Sequence, residues 1–365
     1  MRTRLARDLH PVAWWVWAIG LAAAATLTTN PFLLLLLVAV AAVVVQARRS
    51  DHPWARSFRL YVWLGVAIVL IRVVFRIVFG GVDGGHVLLG LPTVPLPEWV
   101  AGVRLLGPLT VESLLAGLYD GLRLATIVIC IGAANSLANP KRLLTSVPPA
   151  LYEIGTALVV AVTVFPQLAD SARRVRAAQA LRGGADGRVG RLRRFLVPVL
   201  EDALERSLAL AAGMDTRGYG RAGTATPAER RLTGALLLGA LCGIGVGTYA
   251  VLDSTAPRWL ATPMLLVGVV VAVVGMVSSG RRVQRSRYRP DPWRLEESLV
   301  ALSGMAVGAV VWWIAGHDVL VAHPGVESMP YLSVEALAAV LIGLLPAVVA
   351  PRPRHALAPA LAVGA

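Results

Sequence analysis

Long apolar runs recur along this 365-residue chain and constrain its fold more than any other feature. A helix rises ~1.5 Å per residue, so about 20 apolar residues cross the ~30 Å hydrocarbon core of a bilayer. Hydrophobic residues make up 56% of the chain and charged residues only 15%. The sequence therefore predicts an all-α polytopic membrane protein with about eight transmembrane helices. The predicted spans are 12–29, 31–47, 58–79, 111–137, 232–252, 259–279, 297–316 and 331–350.

Basic residues, which give a formal net charge of +14, concentrate at the ends of these runs. Cytoplasmic loops of membrane proteins carry an excess of arginine and lysine. The eight spans alternate without conflict if the cytoplasmic side holds the clusters at Arg2, Arg48, Lys141, Arg281 and Arg352. Both termini are then cytoplasmic, and the loop before span four is external. The same distribution indicates a lipid bilayer as the partner of the basic residues and argues against nucleic acid.

The apolar run 150–168 does not fit this alternation. Basic clusters flank it on both sides, so a single crossing would place one of them outside. The run also contains Glu153 and ends at Phe165-Pro166. We interpret it as a helix that lies in the cytoplasmic leaflet or is buried among the spans. A ninth span with inverted topology is the alternative.

Residues 170–231 form the long polar stretch of the chain and predict two long cytoplasmic amphipathic helices, between spans four and five. Apolar positions in the second helix, 191–216, share the spacing of a single helical face. They are Leu196, Val199, Leu200, Ala203, Leu204, Ser207, Leu208 and Ala211. Each helix ends in an arginine followed by a glycine, a common helix stop that complements the helix dipole. Two such ends on consecutive cytoplasmic helices indicate a docking surface.

The sequence argues against an enzyme. A P-loop requires Gly-Lys, and the single lysine, Lys141, follows Pro140. Cys130 and Cys242 fall inside apolar runs, and the six histidines are scattered. We therefore predict a non-catalytic protein without cofactor or metal site; a membrane-embedded enzyme is a weak alternative.

Asp120 and Arg123 lie three residues apart in span four and can pair on one helix face. We interpret them as a structural ion pair. Buried charges in membranes often mark transport pathways, so a stand-alone secondary transporter with a midplane site around Asp120 and Arg123 is the alternative function. Arg72 and Arg76 lie toward the outer end of span three, where their side chains can reach the interface.

The two arginine–glycine ends resemble the signatures of the transmembrane T component of energy-coupling factor (ECF) transporters, a family that includes the permease subunit of cobalt uptake systems. That family carries two Ala-Arg-Gly-type signatures, and here Leu181 and Thr216 stand where alanine is usual. The resemblance is good over about 110–220 and looser over the N-terminal spans. It implies that the ATPase-coupling residues are Ala178, Gln179, Arg182, Gly183, Met214, Arg217, Gly218 and Tyr219.

The resemblance also implies a function and a location. The chain would be the scaffold of an ECF-type ABC importer in a prokaryotic plasma membrane, binding two ABC-type ATPase subunits and a small substrate-capture membrane subunit, the S component. The substrate class would be a vitamin or a metal ion. We expect four spans in 1–138, the coupling helices in 139–231, and about four spans in 232–365, of which the last three exceed the usual family core.

Overall fold

The computed structural model describes residues 7–50, 57–79, 86–90, 92, 94–95, 104–146, 151–182, 188–219, 226–253, 255–280 and 292–351. Gly183 and the basic residues Arg2, Arg281 and Arg352 lie outside these ranges. The helices are α1 Pro11–Thr26, α2 Pro31–Arg48, α3 Phe58–Val78, α4 Val111–Leu137, α5 Pro140–Thr145, α6 Tyr152–Arg182, α7 Arg188–Thr216, α8 Pro227–Leu252, α9 Arg258–Gly280, α10 Leu295–His317, α11 Val319–Ala322, α12 Val334–Ile342 and α13 Leu345–Val349.

Seven of these helices are long and apolar enough to cross a membrane, by length and composition. They are α2, α3, α4, α8 and α10 together with Ile154–Leu181 of α6 and Leu260–Gly280 of α9. The prediction of an all-α polytopic membrane protein is confirmed. The first and last predicted spans are shorter apolar helices, Pro11–Thr26 and Val334–Val349. The last one is interrupted by a turn at Gly343-Leu344.

The run 150–168 is not a separate helix, because α6 continues through Pro166 into the first predicted coupling helix. Its placement in the cytoplasmic leaflet stays a prediction.

The described part of the loop before α4 contains four short strands: β1 Val87–Gly90, β2 Val94–Pro95, β3 Arg104–Leu105 and β4 Pro108–Thr110. They form two antiparallel pairs, β1 with β4 and β2 with β3.

The chain divides into two compact units. Unit 1 comprises Met1–Leu143 and Asp291–Ala365, and unit 2 comprises Leu144–Pro290. The three-part division expected from the sequence stays a prediction. Within unit 1, helices α10 to α13 pack with the first helices of the chain. The core of unit 1 is apolar and includes fully buried side chains from α1, α2 and α10. Among these side chains are Trp17, Leu21, Leu34, Leu37 and Val307.

Glycines let α1 and α10 of unit 1 approach until their backbones touch. A Cβ placed on Gly20 would lie 2.1 Å from the Gly304 carbonyl oxygen, and one on Gly304 would lie 2.3 Å from Trp17 Cα. A Cβ on Gly308 would lie 3.1 Å from the Gly20 carbonyl oxygen. Residues 304–308 therefore form a small-xxx-small contact of the kind that joins helices in membranes.

Polar side chains of α1, α2 and the turn between them bond to the backbone of the last segment of unit 1. Thr28 Oγ1 donates to the Ala322 carbonyl at 2.7 Å. Asn30 Nδ2 donates at 2.9 Å to the carbonyls of both Val321 and Tyr331. Trp17 Nε1 donates to the Gly343 carbonyl at 3.1 Å, and Arg48 Nε donates to the Ala347 carbonyl at 3.1 Å. The turn between α1 and α2 is thus completed by residues about 300 positions later.

The N-terminal ends of α1 and α10 are joined by a buried carboxylate. Glu297 is 1% exposed and accepts a hydrogen bond from Arg7. It also accepts from the backbone N–H of Arg294, at 3.0 Å, and so caps α10. The rings of His10 and Trp293 meet beside it, with centroids 5.3 Å apart.

Unit 2 contains the helical hairpin α8–α9 and the helix pair α6–α7. A Cβ on Gly243 would lie 3.2 Å from Gly268 Cα, and one on Gly247 would lie 2.6 Å from the Leu265 nitrogen. A Cβ on Gly239 would meet nothing within 4 Å. Two of the three glycines that recur every fourth residue in α8 therefore pack against α9.

Candidate coupling site

The first predicted coupling signature stands at the end of α6. Arg182 is the last residue of this 31-residue helix. In the preceding turn Ala178 is exposed and Gln179 is half-buried, and Leu181 is 90% exposed. An apolar side chain with that exposure has no described neighbour to cover it. The end of α6 is thus a projecting surface in the described part of the chain.

The second signature closes α7 with a Schellman motif. Gly218 has φ 76°, in the left-handed region that glycine occupies at low cost. Its N–H donates to the Asp215 carbonyl at 2.9 Å, and the Tyr219 N–H donates to the Met214 carbonyl at 3.1 Å. This pair of bonds defines the motif and confirms the helix stop that the sequence predicted. Arg217 directly follows Thr216, the last residue of α7, and its side chain is exposed.

A polar cluster joins α6 to α7. Asp202 Oδ2 lies 3.7 Å from Arg174 Nη2 of α6, and Asp202 Oδ1 accepts from Arg206 Nε at 3.0 Å. Ser171 of α6 is 2% exposed. A hydrogen bond from Ser171, and then one from Arg206, lower the pKa of Asp202 below its ordinary value, and the charges of Arg206 and Arg174 act in the same direction.

The apolar face of α7 is uncovered in the described part of the chain. Every fourth residue from 192 to 208 is a leucine, and we call these residues the leucine stripe. The exposed fractions are 57% for Leu192, 40% for Leu196, 63% for Leu200, 62% for Leu204 and 63% for Leu208. Asp202, which pairs with Arg206 on the same helix, is the residue that meets α6. A stripe of this size on a helix indicates a surface for a partner.

In a comparison with protein families, residues 2–227 match the model of the family described as cobalt transport protein, CbiQ. The chain belongs to this family. The family is that of the T component of ECF transporters, as the two arginine–glycine ends suggested. No curated protein matches the chain. The match ends at the first residue of α8, so α6, α7 and both signatures of this cobalt transport family member lie within it.

The predicted ion pair within α4 is not the arrangement that the structure contains. Asp120 Oδ2 lies 3.3 Å from Arg76 Nη2 of α3. Arg123 instead donates from Nη2 to the Thr26 carbonyl at the end of α1. The helix spacing permits the i, i+3 pair, but the neighbouring helices supply a cation and a carbonyl nearer to each side chain. Asp120 and Arg123 therefore do not pair with each other, and a site around them stays a prediction.

Some residues of this site were missed in the sequence. Ser171 and Arg174 precede the first signature by more than one turn, and only their contact with α7 reveals them. Away from this site, the Gly304-x-x-x-Gly308 spacing of α10 is a signal present in the sequence, equivalent to the glycine spacing of α8 described above. In the described ranges, no group of three or more His, Cys, Asp and Glu side chains is placed to hold a metal ion.

Proposed function

We propose that this cobalt transport family member is the transmembrane scaffold of an ECF-type ABC importer. Two separate ABC-type ATPase subunits bind the ends of α6 and α7, and a small substrate-capture S component binds in the membrane. ATP binding and hydrolysis occur in the ATPase subunits, and α6 and α7 transmit their motion. The cargo is a vitamin or a metal ion, and the S component selects it.

The observation that carries this proposal is the end of α7. The Schellman motif fixes the backbone of Arg217 through hydrogen bonds to Met214 and Asp215 while its side chain is exposed. An arginine on a fixed backbone loses little backbone freedom on binding, and its planar fork suits carboxylates and carbonyl oxygens of a partner. Arg182 at the end of α6 would act in the same way within the family signature.

The build of α6 supports a role in transmitting motion. The helix runs for 31 residues, or ~46 Å at ~1.5 Å per residue. Its first half is apolar and exposes Ile154, Leu158 and Phe165, while its second half is arginine-rich. One continuous helix therefore connects an apolar environment to the proposed ATPase contact. The polar cluster at Asp202 links α7 to α6, so that the two helices would move together. The leucine stripe offers the S component an apolar surface.

The proposal predicts that a double charge reversal, Arg182→Glu with Arg217→Glu, abolishes co-purification with the ATPase pair. Each substitution removes a cation from the contact, and breaking a buried charge pair costs roughly 3–5 kcal/mol, or more than a hundredfold in affinity. The measurement is pull-down of co-expressed ATPase subunits by the tagged full chain in detergent, together with uptake by cells.

Arg193→Glu is the matched control, because Arg193 is an exposed arginine near the other end of α7. That variant should retain the ATPases. Equal membrane insertion of all variants excludes a folding defect. Normal ATPase binding by the double variant would show that these helix ends are not the docking site.

A further inference from the structure

Helices α3 and α4 carry a charged patch on a surface that is otherwise apolar. Arg72 and Arg76 are one turn apart on α3, so they share a face. Arg76 pairs with Asp120 of α4, and the side chains of these two residues are 36% and 42% exposed. Arg72 is exposed and makes no ion pair with a described acidic residue. We call Arg72, Arg76 and Asp120 the α3 patch.

Two glycines of α4 make room for the arginine side chains. A Cβ on Gly117 would lie 2.8 Å from Arg76 Cγ, and one on Gly121 would lie 3.2 Å from Arg72 Cβ. The stems of both arginines therefore lie directly on the α4 backbone. These contacts fix where both side chains leave α3, one turn apart, and Arg76 Nη2 lies 3.3 Å from Asp120 Oδ2.

The depth of the patch suits a lipid headgroup. Arg72 precedes the last residue of α3, Val78, by six positions, or ~9 Å along the helix, and Arg76 precedes it by only ~3 Å. Nearby apolar side chains, Ile71 and Phe75, are 64% and 52% exposed, as expected for a lipid-facing surface. A long arginine side chain at this depth extends its charge to the interface.

Charge selects the class of ligand. Two guanidinium groups and one carboxylate give the α3 patch a net charge of +1, which one phosphodiester neutralises. In the orientation that the basic clusters predict, the patch faces the outer leaflet, where the positive-inside tendency disfavours arginine. A bound phosphate would stabilise both arginines at this position.

We propose that Arg72 and Arg76 bind the phosphate of an anionic phospholipid, in the leaflet at the C-terminal end of α3. The planar fork of each guanidinium donates to the phosphate oxygens, as arginine commonly does in phosphate sites. Asp120 competes with the phosphate for Arg76, because its carboxylate already pairs with that guanidinium. The site is independent of ATPase docking, because it involves none of the residues of α6 or α7.

The test uses the purified full chain in phosphatidylcholine nanodiscs with or without phosphatidylglycerol. Native mass spectrometry counts the phosphatidylglycerol molecules that stay on the protein after release. Arg72→Gln should weaken retention of one lipid about fivefold, and Arg72→Gln with Arg76→Gln should weaken it further, because each arginine near a lipid surface contributes about that factor. Asp120→Asn should strengthen retention, since it removes the carboxylate that competes for Arg76.

Arg59→Gln is the matched control, an exposed arginine at the opposite end of α3. It should leave this lipid bound. Arg72→Gln keeps the Arg76–Asp120 pair, so it remains informative if the double variant folds poorly. Unchanged retention in Arg72→Gln, an equal loss in Arg59→Gln, or a loss in Asp120→Asn would each overturn the proposal. Loss of a co-purified membrane subunit with unchanged lipid would assign the patch to a protein partner instead.

Discussion

At Gly304 the backbones of α1 and α10 meet without a side chain between them. The neighbouring atoms belong to Trp17, and they are backbone atoms that cannot rotate away. Gly20 is in the reciprocal position on α1. Helices in a membrane associate through close packing and not through the exclusion of water, so the loss of such a contact is not offset by burying more apolar surface.

We expect Gly304→Ala to destabilise unit 1 by about 1–3 kcal/mol, the usual cost of overpacking a tight core. The new methyl group would meet Trp17 backbone atoms 2.3 to 2.8 Å away, so one helix must shift. The measurement is the melting temperature of the detergent-purified chain. Gly316→Ala, in the last turn of the same helix, meets nothing within 4 Å and should melt like the unmodified protein. Equal melting of the two variants would contradict the packing described for Gly304.

Helices α6 and α7 meet through polar and charged groups around Asp202, with few buried apolar side chains of their own. The pKa of Asp202 is lowered in the folded protein by Ser171, Arg206 and Arg174. Its charged form therefore stabilises the contact at pH values above the ordinary aspartate pKa of about 4. That contribution is lost as the pH falls through the lowered value.

Asp202→Asn should loosen the contact between α6 and α7 at neutral pH. It should also abolish the loss of that contact at acidic pH. Hydrogen exchange of α6 and α7, corrected for the intrinsic rate at each pH, measures this. The unmodified chain should exchange faster below about pH 4 than near pH 6. Glu201→Gln is the control, because Glu201 is the exposed neighbour and should behave like the unmodified chain. If α6 and α7 of the Asp202→Asn variant were as protected from hydrogen exchange as those of the unmodified chain, the role of this cluster would be contradicted.

The sequence predicts the helices of this chain better than it predicts their partners. Apolar length predicts α2, α3, α4, α8, α9 and α10, and a glycine after an arginine predicts the end of α7, because these are local properties. The amphipathic pattern of α7 identifies an apolar face, but it does not say what covers that face. The partner of Asp120 also lies on another helix, and spacing within α4 carries no information about Arg76.

At the scale of the whole molecule, unit 1 is assembled from both ends of the chain. The family match stops at residue 227, yet α10 to α13 supply the carbonyls that Thr28 and Asn30 require. Thr28 and Asn30 are fully buried. The sequence indicated that the last spans exceed the family core, but no local pattern connects residue 30 with residue 331.

A chain ending at Pro290 should therefore be less stable than the full chain. Each buried donor left without its acceptor costs about 1–3 kcal/mol, and Trp17, Thr28 and Asn30 would all lose theirs. The measurement is the melting temperature and the yield of monodisperse protein. A chain ending at Pro351 keeps these acceptors and is the control, and co-expression of residues 291–365 as a separate polypeptide should restore stability. Full stability of the shorter chain would show that the last segment is not part of unit 1.

The bond between Thr28 and Ala322 also imposes an order on biosynthesis. Its two residues are 294 positions apart, which at ~5–20 residues per second is roughly 15–60 s of translation. During that interval α1 and α2 have already been synthesised, but the carbonyl that Thr28 requires has not. The first helices to be made are thus among the last to reach their native contacts, and the insertion machinery or a chaperone has that time in which to bind them.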